Sequence, residues 1–221
     1  MRLTAAACLS DNVRQFYCDG QAIADSDKSY LKAAIVDCIT LHRSDKTVAD
    51  TYATILEKLV TFDFPDRWSD LPSMTHNKLV NCSREEELFG SLTAVNILVK
   101  TIALVANNSK QATEEFVAVI FPRLEDLIAN QITKWNDHTS EILYLVFKSF
   151  LNVVTIEIPD YLDTQENAPR FNSWMNAIQF VLDRSLPDSL TSNVRTWKDQ
   201  LEREKHVEWK LKRVAVQILN W

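Results

Sequence analysis

Two glycines, Gly20 and Gly90, serve the whole 221-residue chain. Soluble proteins use glycine at about 7 % of positions, and the tight turns that join antiparallel strands depend on it because they need positive φ. A chain with almost none cannot fold strand back on strand repeatedly, whereas helices can be joined by polar corners. The chain therefore reads as all-α. Its apolar fraction of 46 % supports a core of ordinary size, and its length suits one core or a short stack of repeats.

One corner stands out. Val60-Thr61-Phe62-Asp63-Phe64 closes a helical pattern, Pro65 cannot continue it, and Asp66-Arg67-Trp68 leads straight into the next element. It reads as a turn between two antiparallel helices. The same order of residue types returns as Val154-Thr155-Ile156-Glu157-Ile158-Pro159-Asp160, with the prolines 94 positions apart. Helical hairpins of the HEAT kind recur every roughly 40 to 47 residues, so this spacing is that of two units. The expected fold is an α-α superhelix, a HEAT/ARM-type solenoid. Residues 1–221 form a single segment of about four and a half hairpins.

Apolar periodicity places the helices. They are expected at about 3–18, 27–42, 45–62, 71–81, 84–106, 111–133, 138–156, 170–184 and from Trp209 to the end. The cleanest stripe is Val48, Tyr52, Ile55, Leu59 and Phe62. Asp19-Gly20 closes the first helix, and Asn107-Asn108-Ser109-Lys110 breaks the chain before the sixth. Ser83-Arg84-Glu85-Glu86 has the form of a capping box, and Pro122 is expected to bend its helix. Residues 138–156 are apolar on nearly every side, as in a helix covered by neighbours. The polar stretch from Ser185 to His206 reads as the longest loop. The last helix lacks a stop signal and both ends lack polar caps, so the chain is expected to be a piece incomplete at both ends.

Thirty acidic against 24 basic residues give a net charge of −6, which disfavours nucleic acid and anionic membranes and leaves basic partners open. Cys8, Cys18, Cys38 and Cys82 have no CxxC spacing and are expected to act as small core side chains in a reducing compartment. The opening residues carry too short an apolar run for a secretion signal. No uninterrupted apolar run approaches the length of a membrane span.

No phosphate-cradling glycine loop, HExxH or GxSxG pattern is present. His42, His76, His138 and His206 stand near expected helix boundaries without partners at helical spacing and read as surface or capping residues. The run Glu85-Glu86-Glu87 is better explained by the dipole of the helix it opens than by a ligand. The small basic cluster Lys210, Lys212 and Arg213 is offset by Glu202, Glu204 and Glu208 nearby. No enzyme, cofactor or metal site is expected.

Phe64-Pro65-Asp66-Arg67-Trp68-Ser69-Asp70-Leu71 resembles the corner near the N-terminus of the importin-β (karyopherin) family of nuclear transport receptors. The last helix, with Trp209, Lys210, Lys212, Arg213, Ala215, Ile218 and Leu219, is similar to one in the branch containing importins seven and eight. Between them, Leu88-Phe89-Gly90-Ser91-Leu92 and Phe121-Pro122-Arg123-Leu124 resemble that branch's intervening helices. Two departures are Val214, where the branch usually has a second Trp, and the loop after Pro187, which lacks a dense acidic run. On this resemblance Phe64, Pro65, Arg67, Trp68, Trp209, Lys210 and Lys212 are structural motif residues. The resemblance implies protein import into the nucleus, with shuttling between nucleus and cytoplasm. Cargo and Ran GTPase would meet the concave face, and Phe-Gly nucleoporins the convex one. Ran binding is implied for the complete receptor, because the family's first repeat precedes the matched stretch. Glu115, Glu125 and Asp126 would then form an inward acidic patch for basic protein cargo. The alternatives are a HEAT-type scaffold or adaptor, and the related export receptor for importin-α.

Overall fold

The computed structural model describes residues 2–17, 23–42, 44–105, 110–136, 138–191 and 197–221. Among them every regular element is a helix. Cys18, the closing Asp19-Gly20 and the break at Asn107-Asn108-Ser109 lie outside the described residues. Two compact units are present, Met1–Ile120 and Phe121–Trp221.

The first unit holds α1 (Arg2–Phe16), α2 (Asp25–Leu41), α3 (Lys46–Asp63), α4 (Leu71–Val80), α5 (Glu85–Val105) and the start of α6 (Lys110–Thr133). α3 is its centre, packing on α1, α2 and α5. Its stripe buries Val48, Ile55, Leu56, Leu59 and Val60, and Asp45 caps its start by accepting the Val48 amide at 3.3 Å. A short connection joins the end of α2 to the start of α3, while Lys32, further back in the first half of α2, reaches Asp63 at the end of α3. The two helices are therefore antiparallel. Tyr17, just past α1, also reaches Asp63, so α1 and α3 end together. Beyond the Pro65 corner α4 finds its main partner in α5.

Gly90 is a point of close approach. A Cβ built on it would lie 2.6 Å from the Cα of Thr40 on α2. Only a residue without a side chain lets α5 come this near. Length and composition alone would let Glu85–Leu104 cross a bilayer, but 67 % of that window is buried in the protein, where α2, α3 and α4 pack against α5.

The capping box is built one residue later than its sequence form implies. The amides of Glu87 and Leu88 donate to the Arg84 carbonyl, which makes Arg84 the first half-helical residue. Glu87, rather than Glu86, then reaches back, accepting the amides of Ser83 at 2.9 Å and Arg84 at 3.3 Å. The Ser83 amide is the main influence, joined by the Arg84 side chain and the Ser83 hydroxyl, and together they hold the Glu87 carboxyl down at about 2. A carboxylate with a depressed folded-state pKa stabilises above its unfolded value and loses that effect as pH falls through the folded one. The stability advantage of the native chain over Glu87→Gln is thus expected to be full above pH 4.5 and to disappear towards pH 2. Thermal midpoints of the two chains across that window check it.

The second unit holds the rest of α6, α7 (Thr139–Val154), α8 (Asp160–Asp163), α9 (Ala168–Asp183), α10 (Asp188–Thr191), α11 (Trp197–Lys205) and α12 (Val207–Leu219). α6 continues through Pro122 without a break. Its core is aromatic: Phe150 stacks on Trp174 with centroids 4.5 Å apart, and Phe121 meets both. No side chain of α7 is fully exposed, and α12 is the helix packed most extensively against it. Ser140 near the start of α7 sits 3.5 Å from Glu208 near the start of α12, so these two helices run parallel. Glu125 contacts Trp174 and Trp135 contacts Phe180, so α6 and α9 run parallel as well.

Three expectations need correction. The segment Ser185 to His206 is not one long loop, since α10 and α11 lie within it. α11 escapes periodicity because six of its nine residues are charged; it is held by the Lys205–Glu202 pair, by Arg203 lying 4.2 Å over the Trp209 ring and by packing on α12. The three described cysteines are not core residues: Cys8 is exposed and Cys38 and Cys82 are half-buried. Burial, followed by the charge of Asp37, pushes the Cys38 thiol up. His76 lies inside α4 rather than at a boundary, while His42 follows α2, and His138 and His206 precede α7 and α12.

Candidate functional site

The first corner is organised around one carboxylate, that of Asp63. Asp63 is only 4 % exposed, and a buried anion must be satisfied by donors. Tyr17 donates its hydroxyl at 2.6 Å and the Lys32 ammonium pairs at 2.6 Å. Arg67 approaches at 3.6 Å from an exposed side chain. Lys32 also donates to the Arg67 carbonyl at 2.7 Å and lies 5.6 Å over the ring of buried Trp68. Phe64 and Pro65 are half-buried, and Phe64–Pro65 is the one cis peptide bond among the described residues. The corner is a structural joint. Its sequence counterpart is built differently, because Glu157, which matches Asp63 in type, is exposed.

Trp209, Lys210 and Lys212 lie half-buried on α12. Lys212 donates to the Leu182 carbonyl at 2.7 Å, closing the C-terminal end of α9. Burial pulls its ammonium down, and Asp183 and Glu208 partly restore it. A cleft of about 320 Å³ opens beside it, where Asp188 and Glu208 face Arg184 and Lys212. The cleft carries no net sign, and Arg184 stacks 3.8 Å over Trp135 at its edge.

The three acidic residues expected to act together have different surroundings. Glu115 is exposed, accepts a hydrogen bond from Gln111 at 2.9 Å and belongs to the first unit. Glu125 is an internal hub of the second unit. The Trp174 indole N–H donates to it at 3.1 Å, Arg170 at 3.0 Å, and the Tyr161 hydroxyl lies 3.2 Å from both its oxygens. Burial first, and then the Glu125 charge, push the Tyr161 phenol up, against the opposing pull of Arg170. Asp126 is exposed, one residue on.

Asp126 stands on the rim of the most spacious cavity described in this unit, a groove of about 690 Å³ between α6 and α9. Ile128, Ala129 and Ile132 form one wall, and Trp174, Ala177 and Phe180 the other. Ile128 and Ala129 each stand three or four residues before Ile132, and Trp174, Ala177 and Phe180 recur every three, the spacing of one helix face. Phe180 keeps 37 % of its surface exposed. Neither this groove nor Tyr161 and Arg170 were expected from the sequence. Its signal was present as a second apolar stripe, Ile128 and Ile132, beside the core stripe of Leu124 and Leu127. Among the described residues no cluster of side chains could hold a metal ion. Comparison with family profiles, curated proteins and solved structures gives no match.

Proposed function

We propose that the chain works by surface recognition, as part of a nuclear transport receptor of the importin-β type, with its helices stacked as HEAT/ARM-type hairpins. The observation that carries this reading is helix direction in the second unit: α6 runs parallel to α9, and α7 to α12. Hairpins repeated side by side require such alternation. The motif residues support it too: Arg67 and Trp68 sit at a corner locked by the Lys32–Asp63 pair, and Lys212 ties α12 to α9.

On this reading no covalent step is involved and no cofactor is needed. Basic protein cargo meets acidic helix faces, and Phe-Gly nucleoporins meet apolar seams between helices. Of the three carboxylates first considered for cargo, Glu115 and Asp126 are the ones exposed to a partner, because Glu125 is engaged by its neighbours. The complete receptor shuttles between nucleus and cytoplasm and binds Ran GTPase.

The test is retention of the purified 221-residue chain on immobilised Phe-Gly repeats, with Ser-Gly repeats of equal length as the control. Retention on Phe-Gly alone is the expected result. Equal retention on both, or on neither, removes the transport role and leaves a helical scaffold or adaptor.

A further inference from the structure

The α6–α9 groove is selective in shape and charge. Its walls run from Glu125 to Thr133 on α6, about 12 Å at the rise of an α-helix. An apolar stripe from i to i+7 on another helix spans about 10 Å. Ala129 and Ser173 face in from opposite walls, small and exposed, and leave room for a backbone to approach. The polar groups are not arranged for a small molecule. Glu125 and Arg170 neutralise each other at 3.0 Å, and Glu125 is further filled by Trp174 and Tyr161. Asp126 is left as the exposed charge on the rim, in no ion pair among the described residues. An apolar trough with one unneutralised carboxylate fits a cationic, amphipathic partner.

We propose that this groove docks an amphipathic helix of a partner protein. Its apolar side chains at i, i+3 or i+4, and i+7 fill the space between α6 and α9, and a lysine or arginine flanking that stripe pairs with Asp126. The inference deepens the surface-recognition reading and rests on it for the source of the helix, as part of a basic cargo. The groove itself does not depend on nuclear transport.

The experiment uses the full chain and a fluorescent synthetic helix with leucines at i, i+4 and i+7 and a flanking lysine, compared with a scrambled peptide of identical composition. Binding is read by anisotropy. The patterned peptide is expected to bind and the scrambled one not. Ala129→Trp fills the groove from one wall and Ser173→Trp from the other. Each is expected to weaken binding about tenfold or more, the loss of one buried aliphatic anchor. Asp126→Asn is expected to weaken the lysine peptide about two- to fivefold and to leave a neutral analogue unchanged. Helical content and thermal midpoint establish that each variant is folded, and the two filling variants stand in for one another.

Equal binding of patterned and scrambled peptides overturns the proposal, as does undiminished binding by both filling variants. Tighter binding of a Phe-Gly peptide in the groove overturns it too. So does a concentration-dependent dimer that Ala129→Trp dissolves, which would make a second copy the occupant. Phe-Gly retention is measured on the same proteins. Its absence with peptide binding intact defeats the transport reading alone, and the reverse result defeats the groove alone.

Discussion

Asp63→Ala is expected to lower the stability of the first unit by about 3 kcal/mol, the low end for breaking a buried ion pair. The cost arises from what remains: the ammonium of a Lys32 side chain only 15 % exposed and the hydroxyl of a Tyr17 that is 3 % exposed, both engaged with that carboxylate. Arg67 contributes little, since its side chain is 71 % exposed and its separation is 3.6 Å. Urea unfolding followed by far-ultraviolet circular dichroism gives the size of the effect. A second variant separates charge from packing. Asp63→Asn with Lys32→Met removes both charges and keeps an acceptor for Tyr17, so it should regain most of the loss. If the double variant is no more stable than Asp63→Ala, the site depends on something other than charge satisfaction.

Gly90→Ala is expected to destabilise the same unit by about 2 kcal/mol, against the usual gain of about 1 kcal/mol when alanine replaces glycine inside a helix. The new Cβ would stand 2.3 Å from the Thr40 hydroxyl oxygen and 2.6 Å from its Cα. A side chain could rotate away, but a backbone atom moves only if α2 and α5 separate. Thr40→Ala should therefore fail to rescue Gly90→Ala. Restoration of the original midpoint by Thr40→Ala would show the clash to be with the hydroxyl alone, and α2 and α5 to have slack between them.

The helical architecture was legible because it depends on local physics. Scarce glycine, apolar steps of three and four, and prolines at the ends of apolar runs act within a few residues, so they placed α2, α3, α5, α7 and α12 to within a few positions. α11 was invisible for the same reason. Most of its residues are charged, Trp197 and Leu201 are too few to mark a stripe, and it is ordered by Arg203 on Trp209 and by packing on α12. The capping box was recognisable in kind but shifted by one residue, since both Glu86 and Glu87 stand near Ser83 and only the position of the first helical hydrogen bond selects between them.

The sequence by itself determined that this is a helical chain, where most of its helices lie and which residues make its corners; these follow from backbone stereochemistry and side-chain periodicity. Only the tertiary structure decided what each charge does. Glu125 and Asp126 are adjacent and chemically alike, yet one is consumed by Arg170, Tyr161 and Trp174 while the other faces solvent on a groove. Asp63 and Glu157 occupy matching corners, yet one is buried among donors and the other exposed. The reason is that a carboxylate's role is set by partners brought from 30 to 50 positions away, and that proximity exists only after the helices have packed.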